Sequence, residues 1–296
     1  MTVPDHPAAS DPGAALIPSR LSFRGMRASA AVVLFGLAGA AAQDASAPIQ
    51  DNSFLIEEAY NQERGVVQHL QLFLWDWKSG GWAWSFTQEW PVPNQTHQLS
   101  FTALLSRVER HGGADSGLGD FALNYRYQLL GSGEARVAVA PRFSVFFPTG
   151  SYARSLGAGS VGIQVGVPAS VVVSDRFVAH GNAGVLWTPQ ARDAQGNRAA
   201  LVVPYAGASV VFLARPSWNV LLEALWVRTE SVSGAHSVEA GETLLLSPGF
   251  RYAWNLRSGL QIVAGVGVPI GIGSSHGQYS MLFYLSFEHP FVSVAP

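Results

Sequence analysis

The sequence predicts an all-β protein, a transmembrane antiparallel β-barrel of about twelve strands. Three observations lead to this prediction. From Val66 onward, apolar residues recur at every second position, which is the period of a strand with one apolar face. Charged residues make up only 13% of the chain, about half of the quarter that is usual in soluble domains. The stretch from Ser258 to Phe287 has no charged residue, yet glycine recurs in it too often for a membrane-spanning helix.

The residues before the first strand predict export. Arg24 and Arg27 precede the apolar run 28–42, which ends in alanines suited to signal-peptide cleavage. Met26 is a second candidate for the start of translation. The predicted organisation is a signal peptide (1–42), a periplasmic linker with a plug-like segment (43–65), an outer-membrane barrel (66–291) and a C-terminal tail (292–296).

Twelve stretches with a period of two give the predicted strands. In the fourth stretch, Phe121, Leu123 and Tyr125 alternate with polar residues such as Asn124 and Arg126. The twelve stretches cover about 66–75, 82–90, 98–106, 121–129, 135–147, 159–173, 176–187, 200–213, 217–228, 243–254, 259–272 and 279–291.

Connection lengths support a membrane barrel. Tight turns alternate with longer connections, as short periplasmic turns alternate with long outer loops in barrels of this kind. The expected long connections are 107–117, 149–159, 188–199, 228–242 and 273–278.

Five prolines fall inside predicted strands, where a missing N–H breaks the hydrogen-bond ladder. They predict bulges or kinks, or else show that some predicted boundaries are misplaced. These prolines are Pro141, Pro168, Pro204, Pro248 and Pro269.

A soluble β-sandwich or lipocalin-like barrel is the alternative fold, with the apolar faces forming its core. The polar faces contain too few charged residues for a surface in water, so lipid around the apolar faces is the better prediction. We therefore expect outer-membrane lipid as a partner.

Composition excludes several functions. Cysteine is absent, which removes disulfides, thiolate metal sites and cysteine nucleophiles, and a net charge of −2 does not predict nucleic-acid binding. The histidines have no metal-ligand spacing, and the glycine pairs in 265–273 are not followed by the helix that a nucleotide-binding loop needs. We expect no metal, no cofactor and no catalytic residues. An esterase-type site would require Ser160 or Ser170 to meet His180.

Polar residues on the inward parity are the candidates for function, because a charged side chain facing lipid costs about 2–4 kcal/mol. They could form a closed ion-pair network or line a water-filled path. These lumen-lining candidates are Glu89, Asp120, Asn124, Arg126, Arg136, Arg142, Gln164, His180, Glu223, Arg251 and Glu288.

Small residues at other inward positions predict a void inside the barrel. We expect them at Gly162, Gly166, Ala206, Ala208, Gly265, Gly267 and Gly271. The amphipathic segment 53–65 is the candidate to fill this void as a plug or gate. Its candidate residues are Phe54, Ile56, Glu57, Glu58 and Tyr60.

The stretches 52–73, 117–130, 136–151 and 156–184 together resemble the MetA-pathway of phenol degradation family of Gram-negative outer-membrane proteins. The resemblance covers about 52–291, nearly all of the predicted mature chain. It implies an outer-membrane barrel that moves small, often hydrophobic or aromatic, molecules. It implies no catalytic residues.

The predicted function is therefore a channel for passive or selective uptake of small hydrophobic or aromatic molecules. One alternative is a structural, adhesive or receptor barrel with a sealed lumen. Another is an outer-membrane esterase-type enzyme.

Overall fold

The computed structural model describes residues 53–110, 112–132 and 135–291. The predicted signal peptide (1–42), the first part of the predicted linker (43–52) and the predicted C-terminal tail (292–296) lie outside the described residues. Apart from two short 3₁₀ turns, Tyr152–Arg154 and Gly273–Ser275, the regular structure of the described residues is β-strand. No helix in the described part of the chain is long and apolar enough to cross a membrane.

The alternating sequence forms fifteen strand segments that belong to one antiparallel sheet. They are β1 (Val66–Asp76), β2 (Trp82–Pro91), β3 (His97–Arg110), β4 (Gly113–Leu118), β5 (Phe121–Tyr127), β6 (Val137–Val139), β7 (Arg142–Phe147), β8 (Gly162–Ser174), β9 (Phe177–Arg192), β10 (Arg198–Arg215), β11 (Trp218–Gly234), β12 (Ser237–Asn255), β13 (Gln261–Gly267), β14 (Ile270–Gly271) and β15 (Ser280–Pro290).

The sheet closes on itself as a twelve-stranded barrel, as predicted. Three strands are interrupted: β4 and β5 both pair with β3, β6 and β7 both pair with β8, and β13 and β14 both pair with β12. Each strand otherwise pairs with its neighbours in the chain, and β1 closes the barrel against β15 from Val66↔Pro290 to Asp76↔Ser280. Closure pairs the two strands that would be the edges of an open sheet. We call the end that holds Val66 and Pro290 the proximal end, and the opposite end the distal end.

The two faces of the wall differ as the period of two predicts. On β11, Val220 and Leu222 point outward and remain 42% and 48% exposed. Asn219, Leu221 and Glu223 between them point inward and are at most 1% exposed. An apolar outer face around a polar interior is the arrangement of a barrel in lipid, and the reverse of what a soluble sandwich would show.

Three connections are shorter than we predicted. The strands continue through most of 107–117, 188–199 and 228–242: β3 runs to Arg110 and β4 begins at Gly113, and the other two connections are turns at 193–197 and 235–236. The prediction ended each strand where the apolar alternation ended, but backbone hydrogen bonds continue between polar residues just as well. The predicted long connections at 149–159 and 273–278 do fall in loops, which span 148–161 and 272–279.

Two of the five prolines interrupt strands. Pro141 separates β6 from β7 and Pro269 separates β13 from β14, whereas Pro168, Pro204 and Pro248 lie within continuous strands. Each interruption lies opposite another proline: the Pro168 carbonyl accepts the Ala140 N–H at 3.1 Å, and the Pro248 carbonyl accepts the Val268 N–H at 3.0 Å. The prolines therefore locally disrupt the wall, and the strand assignments around them stand.

Candidate functional site

The segment 53–65 precedes β1 and contacts inward-facing residues across the barrel. It has no helix or strand of its own, so its backbone groups need partners from the wall. Ile56 and Ala59 are 1% and 0% exposed. We call residues 53–65 the N-terminal segment.

Glu223 on β11 holds the first part of this segment. Its Oε1 accepts the backbone N–H groups of Phe54, Leu55 and Ile56 at 3.0, 2.7 and 3.1 Å. Hydrogen bonds to an ionised acceptor are roughly twice as strong as neutral ones. Glu223 was predicted to line the lumen, and its partner there is the N-terminal segment.

Glycines on the inner wall make room for the apolar side chains of the segment. A β-carbon at Gly265 would lie 2.5 Å from Phe54 Cζ, and one at Gly249 would lie 2.7 Å from Phe54 Cε2. The Phe54 ring also packs on Tyr284, with 5.2 Å between the ring centroids. The small inward residues are therefore needed for this ring to fit against the wall.

The inward parity that we predicted for one strand is wrong. Ala206 and Ala208 on β10 are exposed and point outward, whereas Gly207 between them faces the Cδ1 of Ile56. Apolar residues predominate on both faces of 201–213, so the alternation of residue types there does not show which face points inward.

Arg126 on β5 holds the later part of the segment. Its Nε donates to Asn61 Oδ1 at 2.8 Å, and its terminal nitrogens donate to the carbonyls of Glu58 and Tyr60 at 3.1 and 2.7 Å. Tyr60 itself is buried, and its hydroxyl donates to the Ala135 carbonyl at 3.1 Å.

Uncharged side chains complete the set of contacts. The Oε1 atoms of Gln128 and Gln98 accept the N–H groups of Asn61 and Gln62 at 2.9 and 2.7 Å. Asn182 on β9 accepts the Glu57 N–H at 2.6 Å and donates to the Glu57 carbonyl at 2.8 Å. Gln98 and Gln128 were not among the predicted site residues, although both are polar residues on the inward parity, which is the signal that selected the charged ones.

Ser170 and His180 meet inside the barrel. The Ser170 Oγ lies 2.7 Å from His180 Nδ1 and also accepts the Ala59 N–H at 2.8 Å. Ser170 is 0% and His180 3% exposed. The pair that an esterase-type site would need is thus present, but its hydroxyl binds the backbone of the N-terminal segment.

A cavity of about 310 Å³ remains between the N-terminal segment and the wall. Arg142 on β7 faces it, and its guanidinium contacts the Glu57 carboxylate. The same side chain donates to Asn124 Oδ1 at 3.1 Å and to Ser144 Oγ at 3.0 Å. Polar and apolar groups therefore share the walls of this cavity.

The remaining predicted residues lie in several places. Glu89, Asp120 and Gln164 line the cavity, and Asp120 also accepts the N–H groups of Gly150 and Ala158 from the loop 148–161 at 2.9 and 2.7 Å. Glu288 accepts a hydrogen bond from Gln68, and Arg251 is fully buried on β12. Arg136 is different, because its side chain is exposed and its Nε donates to the Val172 carbonyl at 3.4 Å.

The barrel has the fold of outer-membrane channels. It is similar to the COG4313 outer membrane channel from Pseudomonas putida F1, with 14% identity over 78% of this chain and 97% of that chain and a TM-score of 0.60. A NanC porin structure aligns with 7% identity over 75% of this chain and 98% of that chain, with a TM-score of 0.49. The KdgM porin aligns with 7% identity over 76% of this chain and 99% of that chain, with a TM-score of 0.45.

The family is defined by sequence. The model of the family described as "Putative MetA-pathway of phenol degradation" matches residues 73–271. The chain belongs to this family, as the sequence blocks predicted. A search of curated proteins found no match to the sequence.

Proposed function

We propose that the protein is an outer-membrane channel for passive or selective uptake of small apolar or aromatic molecules, with the N-terminal segment as its plug. The proposal places the chain in the outer membrane of a Gram-negative cell after cleavage of a signal peptide, with the proximal end in the periplasm. The observation that carries the proposal is the cavity between the N-terminal segment and the wall.

The size and lining of the cavity suit a small ligand. Its 310 Å³ is close to the lower limit of about 300 Å³ for small-molecule sites, which are mostly apolar with a few placed polar groups. Its apolar lining includes Leu70, Leu104, Phe146 and Leu186, and its polar lining includes Arg142. A ligand with an aromatic or branched apolar body would bury that body against the first group.

The contacts of the N-terminal segment support a plug. It is attached to the wall by hydrogen bonds, by an ion pair and by the packing of Phe54 and Ile56, and it pairs with no strand. Each of these contacts can break without opening the sheet. Release of the segment would join the cavity to the space that the segment now fills.

Solute flux into proteoliposomes tests the proposal. Liposomes containing the purified protein should swell faster in benzoate, benzamide or phenol than in a solute too large for the cavity, such as a disaccharide. Protein-free liposomes give the background rate. Equal rates with and without protein for every solute would contradict a channel and favour the barrel with a sealed lumen.

A specific contact raises the esterase-type alternative, since Ser170 and His180 are 2.7 Å apart. We interpret this pair as an anchor for the backbone of Ala59, because the hydroxyl is fully buried beneath the segment. Purified protein should show no hydrolysis of p-nitrophenyl esters above background. Hydrolysis that disappears in Ser170→Ala would contradict this interpretation and establish an enzyme.

A further inference from the structure

The N-terminal segment places an apolar side chain and a carboxylate next to each other in the site. Ile56 packs with Leu186, Val203 and Leu225 in a buried apolar cluster. Glu57, the next residue, contacts the Arg142 guanidinium. An apolar group followed by a carboxylate is also the chemical layout of a small aromatic acid.

Arg142 lies in a row of inner-wall residues that sets its surroundings. Across the wall it pairs with Gly166, which pairs with Gly184, which in turn pairs with Tyr205. Because neither glycine has a side chain, the Tyr205 hydroxyl extends along the wall over both, toward Arg142. A phenol donor therefore accompanies the guanidinium.

The neighbouring row toward the distal end is partly apolar. Ser144 pairs with Gln164, Gln164 with Leu186, and Leu186 with Val203. Leu186 and Val203 belong to the apolar cluster around Ile56, and Phe146 and Tyr205 pack against it. The row that carries Arg142 thus lies beside the row that carries Leu186 and Val203, and both rows reach the wall of the same cavity.

Arg126 and Arg142, the two arginines on this side of the lumen, differ in how readily an entering carboxylate can bind to them. Arg126 is buried and donates to one side-chain oxygen and two carbonyls of the N-terminal segment. The Arg142 side chain is 24% and the Glu57 side chain 36% exposed, so their ion pair borders the cavity. A carboxylate that enters the cavity can therefore reach Arg142, whereas the donors of Arg126, which also lines the cavity, are occupied by Asn61 and by two carbonyls of the N-terminal segment.

We propose that Arg142 is the carboxylate-binding residue of the channel and that Ile56 and Glu57 act as an internal mimic of its ligand. The ligand class is a small organic acid with an apolar or aromatic body. Its carboxylate exchanges with Glu57 on Arg142, its body takes the place of Ile56, and the N-terminal segment is released. The substrate itself thus favours opening, because it binds the state in which the plug is displaced. This inference rests on the proposed channel function and specifies its substrate and its gating.

Binding of benzoate to the full chain in nanodiscs tests the exchange. When an internal group competes for the site, the apparent affinity of the ligand is its intrinsic affinity multiplied by the fraction of the protein in which the site is free. If Glu57 occupies Arg142 in about 90% of the molecules, benzoate therefore binds about tenfold more weakly. Glu57→Gln should therefore tighten benzoate binding by about tenfold. Arg142→Gln should abolish it, and the exposed Arg136→Gln is the matched control that should leave it unchanged.

Two further ligands separate the contribution of the carboxylate to binding from that of the aromatic ring. Benzamide has the ring without the charge, and its affinity should not distinguish Glu57→Gln from Arg142→Gln. Acetate has the charge without the ring and should bind more weakly than benzoate to the unsubstituted protein and to Glu57→Gln. Benzoate affinity that is unchanged or weaker in Glu57→Gln would overturn the proposal. If Arg142→Gln does not show the heat-modifiable gel mobility of a folded barrel, the change in benzoate affinity caused by Glu57→Gln decides alone.

The binding assay and the flux assay fail independently. Flux of aromatic solutes with no effect of Glu57→Gln on benzoate affinity would remove the proposed site and leave the channel. Tighter benzoate binding by Glu57→Gln in a barrel that passes no solute would keep the site and remove the channel.

Discussion

Replacing Glu223 should loosen the N-terminal segment while leaving the barrel intact. One carboxylate oxygen accepts three consecutive backbone N–H groups, from Phe54, Leu55 and Ile56. In Glu223→Gln an acceptor oxygen remains and the charge is lost. Glu223→Gln therefore weakens these three hydrogen bonds and changes the packing around residue 223 very little.

The expected magnitude follows from these three bonds. A hydrogen bond to a charged group contributes about 1.5–3 kcal/mol, and a neutral one roughly half of that. Halving three such bonds weakens the attachment of the segment by about 2.3–4.5 kcal/mol. At about 1.4 kcal/mol for each factor of ten, the released state should become about 40 to 1,600 times more populated.

Cysteine labelling measures this population directly, because the chain contains no cysteine. Ser53 is 9% exposed, and Ser53→Cys is a nearly isosteric probe that should react with a maleimide only when the segment is released. Adding Glu223→Gln should raise its labelling rate by the factor given above. Glu230→Gln is the matched control, since Glu230 lies on the same strand and its Oε2 accepts the Val202 N–H of the wall at 2.7 Å. Indistinguishable labelling rates in the Glu223 and Glu230 variants would refute the reasoning.

Three other substitutions test separate parts of the account. Gly265→Ala should displace Phe54, whose Cζ would lie 2.5 Å from the new β-carbon. This overpacking costs about 1–3 kcal/mol and should speed labelling of the probe cysteine. Gly181→Ala is the control and should not change the labelling rate, because the nearest atom to its new β-carbon would lie 3.9 Å away. Ser170→Ala removes the hydroxyl that accepts the Ala59 N–H. Leaving that N–H without its acceptor costs about 1–3 kcal/mol, so labelling should also become faster, and an unchanged rate would contradict an anchor role. Leu222→Arg places a charge on the outer face, which costs about 2–4 kcal/mol near the membrane midplane. Urea titration in liposomes should show this decrease in the free energy of unfolding. A free energy of unfolding equal to that of Leu222→Ala would argue against lipid at this face.

Much of the fold could be predicted from the sequence because one physical constraint acts on every strand. A wall between hydrocarbon and a polar interior forces alternation, so Leu222 and Glu223 could be assigned to opposite faces without a structure. The prediction was wrong where alternation carries no information. In β10, Val202 and Val203 face opposite sides, and both are apolar, because Val203 lies in the same buried apolar cluster as Ile56.

The candidate site could be predicted only in part. The charged residues that bind the N-terminal segment, Glu223 and Arg126, were found because charge on the inward parity is conspicuous. Gln98 and Gln128 make equivalent bonds but resemble any polar residue of the lumen. Their partners are backbone groups of a segment that lacks the strand period of two, so the pairing depends on the path of that segment through the barrel. The strand ends on either side of the turns 193–197 and 235–236 were predicted as loop, because polar strand ends look like loops in a sequence.

Single-channel conductance tests the central claim most directly, namely that residues of the N-terminal segment fill the lumen. The protein lacking residues 43–64 should conduct clearly more than the full chain in planar bilayers, and both should show the heat-modifiable mobility of a folded barrel. Equal conductance of the two folded proteins would contradict the account.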